Sequence, residues 1–311
     1  MTESRSPLLT FCITGGTGFL GSKLIRALSA QGHRVVLLKR SSSNPYRLAG
    51  LLPGITAYDI DAHPLDLVFR RHAIDCVLHC ATDYGRKEPA RSSIIEANLL
   101  LPLRLLETAA EHGVRGFINT DTLLDKRVNA YSLSKRQFRD WLETFSSQIA
   151  TVNVALEHFY GPGDDPTKFV SSMVARMLSV ESAIDLTPGE QTRDFIFIDD
   201  VVTAFTCIIA HHLGPAADAR PPGEPHFTHY EIGTGTSTSI RAFMHMLQEL
   251  AGREDLELRF GAMPYRRNES MHMAADIAAL TALGWRAQVP LAQGLERTLA
   301  EERSLREARV P

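Results

Sequence analysis

A tyrosine and a lysine four positions apart, Tyr131 and Lys135, are the pair of side chains in this sequence best suited to proton chemistry. In a helix this spacing places both side chains on one face, one turn apart. An ammonium group near a phenol favours the phenolate, so such a tyrosine can exchange a proton with a carbinol oxygen while a hydride moves. The pair therefore predicts a carbonyl–alcohol redox reaction, although the same spacing also occurs on solvated helix faces.

Two threonines lie at the end of a predicted strand at 116–120 and just after it, about ten residues before this pair in the sequence. Thr120 and Thr122 are the candidates, and one of them is expected to hydrogen-bond the same reacting oxygen. The phase of the strand does not decide between them. The sequence therefore predicts a catalytic group of Tyr131 and Lys135 with either Thr120 or Thr122.

Three glycines, spaced Gly-x-x-Gly-x-x-Gly, follow the apolar run at 8–13 and open a helical pattern at 18–30. Glycines at such a junction let the backbone approach a pyrophosphate at a helix N-terminus, although a tight turn without a ligand also explains them. The spacing points to the short-chain dehydrogenase group. The predicted cofactor contacts in this loop are Gly15, Thr17, Gly18, Phe19, Leu20 and Gly21.

Two basic residues and a serine, Lys39, Arg40 and Ser41, end the second predicted strand. Cofactor sites that prefer NAD(H) usually place a carboxylate there, whereas cations and a hydroxyl suit a 2′-phosphate. NADP(H) is therefore the predicted cofactor, with NAD(H) second. Asp59 and Ile60, at the end of the next strand, are the predicted contacts of the adenine ring.

Short apolar runs alternate with longer stretches of helical period, which predicts βαβ units. Predicted strands lie near 8–13, 34–38, 56–59, 76–80, 116–120 and 151–156, and helices near 18–30, 94–111 and 131–147. The predicted class is α/β, a Rossmann-fold doubly wound parallel sheet with a smaller C-terminal α/β substrate-binding lobe. We place the cofactor domain at 1–157, with 195–228 returning to it, and the substrate lobe at 158–194 and 229–311.

The composition is that of a globular protein, with 44% hydrophobic and 22% charged residues and a net charge of −3. This charge excludes the basic surface of a nucleic-acid or membrane-surface binder. The four cysteines stand singly in apolar runs, which predicts reduced core residues and no metal site. With no signal segment at 1–7 and no apolar run of about 18 residues, the expected location is the cytoplasm.

Together these motifs resemble the extended short-chain dehydrogenase/reductases, the family of nucleotide-diphosphate (NDP) sugar epimerases, dehydratases and reductases. Other segments that carry the resemblance are His79-Cys80-Ala81-Thr82, Asn98, Tyr160-Gly161-Pro162-Gly163 and Arg193 to Asp200. The resemblance implies that Cys80, Ala81, Thr82 and Asn98 contact the cofactor. It also implies that Arg193 and Arg267 clasp the substrate pyrophosphate, with Arg266 as an alternative to Arg267.

Within this family the chain resembles the CDP-abequose synthase-like branch of 4-ketoreductases. The residues that carry this are Asn119 to Thr122, Glu157 to Asp164, Lys168-Phe169, Gly189-Glu190-Gln191, Phe260-Gly261-Ala262 and Asn268-Glu269. The resemblance implies substrate contacts at Asp83, Tyr84, Asp121, His158, Lys168 and Phe169. It also implies a CDP-linked substrate and a homodimer formed by the helices of Asn98 and Tyr131.

The dehydratases of this family carry Thr-Asp-Glu where this chain has Thr120-Asp121-Thr122, so the glutamate base for elimination is missing. That alignment favours Thr120 as the catalytic hydroxyl. We therefore predict NADPH-dependent reduction of the 4-keto group of an NDP 4-keto-deoxy sugar. The alternatives are a 4-epimerase with tightly bound NAD, reduction of a small non-nucleotide carbonyl compound, and a non-catalytic dinucleotide-sensing protein.

Overall fold

A computed structural model describes residues 8–86, 90–214 and 224–307. The chain divides into two units. Unit 1 comprises Met1–Ala155 and Phe205–Tyr230, and unit 2 comprises Leu156–Ala204 and Glu231–Pro311. Residues 1–7, where the sequence predicts no signal segment, lie outside the described ranges.

Thirteen strands lie within the described residues. In chain order they are β1 (Thr10–Thr14), β2 (Arg34–Lys39), β3 (Thr56–Asp59), β4 (Cys76–His79), β5 (Gly116–Thr122), β6 (Ala150–Leu156), β7 (His158–Tyr160), β8 (Ala183–Leu186), β9 (Thr192–Arg193), β10 (Phe195–Phe197), β11 (Phe227–Ile232), β12 (Thr238–Ser239) and β13 (Glu257–Phe260). The six strands predicted from the sequence correspond to β1–β6, with ends that differ by one or two residues. The strands after β6 are short, and their sequences lack the long apolar runs on which the prediction depended.

The described residues also form ten α-helices. They are α1 (Phe19–Ala30), α2 (Leu65–Arg71), α3 (Arg91–Ile95), α4 (Leu101–Glu111), α5 (Ala130–Phe145), α6 (Phe169–Met177), α7 (Ile198–Leu213), α8 (Ile240–Ala251), α9 (Ala278–Ala282) and α10 (Leu291–Glu307). None of the helices in the described ranges is long and apolar enough to cross a membrane.

The largest sheet has seven parallel strands in the order β11-β6-β5-β4-β1-β2-β3. Thr14, at the end of β1, pairs with Leu38 of β2 and with His79 of β4, and His79 pairs with Asn119 of β5. The carboxyl ends of these strands therefore lie at one edge. Because the strand order reverses at β1, a ligand crevice is expected beside its end. The predicted fold class, a Rossmann-like α/β sheet with flanking helices, is confirmed.

The central strand β1 is buried on both faces, as parallel sheets covered by helices require. Phe11, Cys12 and Ile13 have no exposed surface, although their side chains alternate between the faces. All four cysteines are free, and Cys12 and Cys76 are buried. Cys80 and Cys207 are only partly buried, so the prediction that all four are core residues was wrong for these two.

The predicted helix at 94–111 is continuous in the chain but not uniform. It begins earlier, with α3, and contains a π-helical turn at Glu96–Leu100 before α4. A π turn accommodates an extra residue and changes the direction in which the following side chains point. Asn98 is buried within this turn. The apolar periodicity predicted a helix correctly but does not report such a local change.

The start of α5 is defined by a reciprocal cap. The side chain of Asn129 accepts a hydrogen bond from the Ser132 backbone N–H at 2.8 Å, and the Ser132 hydroxyl accepts one from the Asn129 N–H at 3.3 Å. Such a capping box satisfies two otherwise unpaired donors of the first turn. The cap determines where the helix begins and hence where Tyr131 and Lys135 lie on it.

Unit 2 contains three strand pairs and an aromatic core. In the parallel pair β7–β10, His158 stands opposite Phe195. The rings of Phe195 and Phe243 stack at 4.4 Å, and that of Phe169 lies 5.5 Å from Phe243. Arg193, in β9, pairs with Thr238 of the antiparallel strand β12. The strands β7 and β9 thus carry His158 and Arg193, two of the predicted substrate contacts.

Candidate active site

The glycine loop connects β1 to α1 by a close approach of backbone to backbone. Gly15 has a φ of +67°, and a Cβ there would collide with the backbone of Cys80 and Ala81. A Cβ on Gly21 would collide with the Gly15 carbonyl. Gly18 is the N-cap of α1 and supplies no side-chain cap, so the helix start remains suited to an anion. Of the other predicted contacts, Thr17 is half-buried, and Phe19 and Leu20 are buried.

The loop after β4 is tied to the end of β1. The Thr14 hydroxyl hydrogen-bonds Nδ1 of His79 at 2.8 Å and accepts the Ala81 N–H at 3.3 Å. The Cys80 N–H donates to the Thr14 carbonyl. Burial, followed by the charge of Lys135, holds the pKa of His79 well below its usual value, so this imidazole is neutral. The sequence prediction did not include Thr14, which orders Cys80 and Ala81 beside the glycine loop.

Six buried side-chain polar atoms in unit 1 have no hydrogen-bond partner among the described residues, and two of them belong to predicted site residues. These two are the ammonium nitrogen of Lys135 and the hydroxyl oxygen of Thr82. A buried polar group without a partner costs about 1–3 kcal/mol, so such groups usually bind a ligand or water. Together with the glycine loop that admits no Cβ, these atoms fit a nicotinamide dinucleotide.

The turn that follows β2 carries both cations and carboxylates. Lys39 is half-buried, and Arg40 and Ser41 are exposed. The Ser41 hydroxyl donates to Oδ2 of Asp59 at 2.6 Å, and its N–H donates to Asp61 at 2.8 Å. The sequence prediction did not include Asp61, whose carboxylate lies beside the serine expected at a 2′-phosphate.

Asp59 and Ile60 have different surroundings although they are adjacent in the chain. The Asp59 carboxylate accepts from the Ser41 hydroxyl and from the Asp61 N–H, and these bonds lower its pKa, with the Ser41 bond the largest cause. Ile60 packs against the core of unit 1. Part of the acceptor capacity assigned to adenine is thus already used within the turn.

The side chain of Thr122 lies close enough to the phenol of Tyr131 to act on its pKa. The hydroxyl of Thr120 instead donates to the backbone carbonyl of His79 at 3.0 Å. Burial is the largest cause of a raised pKa of the Tyr131 phenol, and the hydroxyl of Thr122 acts against it. The structure therefore places Thr122, rather than Thr120, beside the predicted catalytic tyrosine.

Lys135 lies one helical turn after Tyr131 and is almost completely buried. Burial lowers the pKa of its ammonium group, while the charge of Asp121 raises it. Burial disfavours the charged form of each group, which means phenolate for Tyr131 and ammonium for Lys135. Both predicted catalytic side chains therefore lie in a low-dielectric part of unit 1.

Asn98 connects the π-helical turn to the loop after β4 and to α5. Its side chain accepts from the Asp83 N–H and donates to the Asp83 carbonyl, both at 2.8 Å, and it donates to the Ser134 hydroxyl at 3.1 Å. This clamp orders the following residue, Tyr84, whose ring lies 5.1 Å from that of Tyr131. Asn98 thus positions the loop that carries two predicted substrate contacts, Asp83 and Tyr84.

A buried polar chain joins β5 to β6 next to Thr122 and was not predicted. Asn119 donates to Oδ1 of Asn153, and Asn153 donates to Oδ2 of Asp121, both at 2.8 Å. Asp121 also accepts the Thr122 N–H at 2.8 Å. An asparagine within the apolar run of β6 was the available sequence signal, because a buried amide requires partners. Both carboxylate oxygens of Asp121, predicted to contact substrate, are thus already bonded to the protein.

In unit 2, His158 forms a close pair with the preceding residue. Its Nδ1 lies 2.6 Å from Oε2 of Glu157, whose side chain is 1% exposed, while the imidazole is 32% exposed. The second carboxylate oxygen of Glu157 has no hydrogen-bond partner among the described residues. The imidazole thus lies between a buried carboxylate and the surface of unit 2, consistent with a ligand contact.

Lys168 and Phe169 are adjacent but differ in role. The Lys168 ammonium lies 3.0 Å from the buried carboxylate of Asp164 and 3.9 Å from the centre of the Phe159 ring. Burial raises the pKa of Asp164, and the charge of Lys168 acts against it. Phe169 opens α6, and its ring belongs to the aromatic core. Lys168 therefore offers a fixed cation, whereas Phe169 mainly packs.

Arg193 is held by three groups of unit 2. Its Nη1 donates to the carbonyls of Thr192 and Ser270 at 2.7 and 2.8 Å, and its Nη2 pairs with the Glu269 carboxylate. Arg266 and Arg267 are both exposed, so the choice between them stays open. The guanidinium expected at a pyrophosphate already has a carboxylate partner, and Glu269 was not among the predicted site residues.

Comparisons with known proteins agree with this geometry. Residues 11–219 match the model of the NAD dependent epimerase/dehydratase family. A CDP-abequose synthase of Salmonella typhimurium is 32% identical over 303 residues, covering 92% of this chain and 96% of the relative. A UDP-glucose 4-epimerase of Mycolicibacterium smegmatis is 28% identical, covering 92% and 96%.

Solved structures show the same fold. The UDP-glucose 4-epimerase of Thermotoga maritima, determined with UDP-glucose, superimposes with a TM-score of 0.80 at 24% identity, covering 96% of this chain and 99% of that one. The family model spans most of unit 1, including the glycine loop, Tyr131 and Lys135. The predicted family is therefore confirmed, and the chain belongs to the NAD-dependent epimerase/dehydratase family, whose members are enzymes of the nicotinamide-dependent oxidoreductase type.

Proposed function

We propose that this chain uses NADPH to reduce the 4-keto group of a nucleotide-diphosphate 4-keto-deoxy sugar. The observation that carries this proposal is the Thr122 hydroxyl, which lies beside Tyr131 and acts on its phenol. Thr122 stands where the family's dehydratases have a glutamate base. A hydroxyl can orient a phenol and a carbonyl oxygen but cannot remove a carbon-bound proton, so the site retains the groups for reduction and lacks the base for elimination.

When it is bound, the nicotinamide cofactor supplies the hydride that adds to the carbonyl carbon. Tyr131 donates its proton to the carbonyl oxygen, and burial favours the neutral phenol from which this proton comes. Thr122 orients that phenol. Lys135 holds an ammonium one helical turn from Tyr131, and its charge stabilises the phenolate left behind. Hydride and proton together convert the ketone to an alcohol, and Tyr131 recovers its proton from solvent.

The nucleotide is proposed on two grounds. Unit 2 carries fixed cations, Lys168 and Arg193, of the kind that bind diphosphate oxygens. The relatives named CDP-abequose synthase favour a cytidine diphosphate over other nucleotides. A small carbonyl compound without a diphosphate has no use for these cations.

NADPH rather than NADH is proposed from the turn after β2, where Lys39 and Arg40 supply two cations. Asp59 and Asp61 lie at the same turn and oppose them. Solved relatives determined with NAD, including MoeE5 with UDP-glucose and NAD, support the alternative of a 4-epimerase that retains NAD. The two reactions differ in net cofactor consumption, which separates them experimentally.

A homodimer is proposed through the helices that carry Asn98 and Tyr131. Large apolar side chains are exposed on α3, the π turn and α5, namely Ile95, Leu100, Leu133 and Trp141. Exposed apolar side chains gathered on neighbouring helices are typical of a protein–protein interface. Light scattering after size exclusion should give the mass of a dimer, and Trp141→Glu should give that of a monomer; a monomeric parent chain would contradict the proposal.

The decisive experiment follows NADPH absorbance when the purified chain is given CDP-4-keto-3,6-dideoxyglucose. Parallel assays use 4-keto-6-deoxy sugars on dTDP, GDP and CDP, and NADH in place of NADPH. We expect stoichiometric NADPH oxidation with the CDP substrate, and none with Tyr131→Phe. No oxidation with any keto sugar, together with interconversion of UDP-glucose and UDP-galactose without added cofactor, would establish the epimerase instead. Cofactor binding without turnover of any substrate would favour the alternative of a non-catalytic dinucleotide-sensing protein.

A further inference from the structure

Asp121 is a buried carboxylate whose surroundings fix its position. It is 6% exposed, and both of its oxygens accept hydrogen bonds, one from the Thr122 N–H and one from Asn153. Each oxygen of Asp121 is therefore already bonded to the protein.

The orientation of Asn153 is determined by its other neighbours. Its Oδ1 accepts from Asn119, so its Nδ2 must be the atom that faces Asp121. The same Nδ2 also lies 3.1 Å from Nδ1 of His229. Asn119 is completely buried and cannot exchange this bond for one to water. The two asparagines thus form a fixed donor directed at Asp121.

Asp121 is adjacent in β5 to Thr122, whose hydroxyl acts on the phenol of Tyr131. Its negative charge acts on both catalytic side chains, raising the pKa of the Tyr131 phenol and that of the Lys135 ammonium. Lys135 is buried, and its nitrogen has no hydrogen-bond partner within the described residues. Asp121 thus supplies a negative charge that stabilises this cation without a direct bond.

Other titratable groups face the same pair. Tyr84 and Arg86, in the loop after β4, act on Tyr131 in opposite directions, with Tyr84 raising its pKa and Arg86 lowering it. Cys80 faces Lys135, and His79, which is neutral, also lies within reach of the Lys135 charge. Burial raises the pKa of Cys80 to about 12, so it is a neutral thiol at ordinary pH. Of these groups that act on Tyr131 and Lys135, Asp121 is therefore the one that supplies a carboxylate.

We propose that Asp121 is a positioning residue, a fixed negative charge held by Asn119 and Asn153 that keeps Tyr131 as a phenol and Lys135 as an ammonium. The proposal rests on the proposed function, because ketoreduction consumes one proton from Tyr131 in each turnover. Asp121 thereby favours the protonation state from which reduction starts. In this role it neither contacts the substrate nor transfers a proton.

The test measures NADPH binding by fluorescence as a function of pH, because this readout requires no sugar substrate. Asp121→Asn removes the charge at nearly constant shape. NADPH affinity is expected to fall at high pH, which forms the alkaline limb of the pH profile. In Asp121→Asn we expect this fall to begin about one pH unit lower, so that NADPH binds about tenfold more weakly at a given pH on this limb. In the Lys135→Met background Asp121→Asn should cause no further shift. An unchanged alkaline limb in a folded Asp121→Asn variant would overturn the proposal.

A second variant covers the case in which Asp121→Asn does not fold. Asn153→Leu keeps the carboxylate but removes its side-chain donor, which should move the limb in the same direction by a smaller amount. Where a keto-sugar substrate is turned over, the alkaline limb of kcat should shift in parallel. If NADPH binding shifts and no keto sugar is reduced, the proposed function fails and the charge effect stands. If reduction proceeds and neither limb shifts, the charge effect fails alone.

Discussion

The Thr122 hydroxyl acts on the Tyr131 phenol and opposes the rise in its pKa that burial causes, while the Thr120 hydroxyl, two residues earlier on the same strand, donates to the His79 carbonyl. Thr122→Val should lower kcat for reduction about 10²-fold, as expected for loss of an orienting group in proton transfer. Thr120→Val is the matched control and should cost about 1 kcal/mol of stability with little change in kcat. If Thr120→Val lowered kcat more than Thr122→Val did, the catalytic hydroxyl would be that of Thr120.

Lys135→Met should stabilise the cofactor-free chain and abolish reduction. Burial lowers the pKa of Lys135 in the folded state, so between that value and 10.5 the unfolded chain binds more protons than the folded chain. The contribution of Lys135 to the free energy of unfolding is therefore lowest below its folded-state pKa and rises as the pH increases from that value to 10.5. Thermal melts from about pH 6 to about pH 10 should show the variant's advantage of about 1–2 kcal/mol shrinking as pH rises. A variant less stable than the parent at every pH would show that Lys135 has a partner in solution.

Gly15→Ala should destabilise unit 1 by about 2–4 kcal/mol, because the glycine has a positive φ and its Cβ would meet the Cys80–Ala81 backbone. Gly50→Ala is the matched control, since nothing lies within 4 Å of a Cβ there. Urea unfolding should place the control within about 0.5 kcal/mol of the parent chain. Equal losses at the two glycines would contradict the close approach at Gly15.

Arg40→Ala and Asp61→Asn should change cofactor preference in opposite directions. Loss of the guanidinium removes a cation available to a 2′-phosphate and should weaken NADPH binding about tenfold while leaving NADH unaffected. Loss of the Asp61 charge, which lies beside Ser41, should strengthen NADPH binding. Titrations of each variant with both cofactors measure this. Parallel changes for NADPH and NADH would show that the turn does not contact a 2′-phosphate.

Arg193→Lys should weaken binding of a nucleoside diphosphate by about 10- to 100-fold, since an ammonium group cannot reproduce the guanidinium fork. Arg259→Lys is the control, because Arg259 is exposed and pairs with the exposed Glu257. Isothermal titration with CDP, dTDP, GDP and UDP compares the two variants. Unchanged affinity in Arg193→Lys would show that Arg193 serves only to join Ser270 and Glu269 to its own strand.

Much of the fold followed from patterns that are local in the sequence. The apolar runs of β1 and β2, the helical period of α1 and the glycines between them each specify a backbone conformation over a few residues. Tyr131 and Lys135 were predicted for the same reason, because their relation depends only on the pitch of a helix. Strand ends were less certain, since the last pairing of a strand depends on its neighbours.

The catalytic hydroxyl and the charge environment required the tertiary structure. Thr120 and Thr122 differ by two positions in one strand, and only the packing of α5 against β5 brings Thr122 to Tyr131. The partners of Asp121, Arg193 and Ser41 lie 32, 76 and 20 residues away, at Asn153, Glu269 and Asp61. The sequence by itself thus determined the backbone framework and the family and predicted the catalytic pair, because these depend on local periodicity and spacing. Which hydroxyl lies beside the phenol, and which carboxylates face each cation, depends on contacts between distant segments and was decided by the folded chain alone.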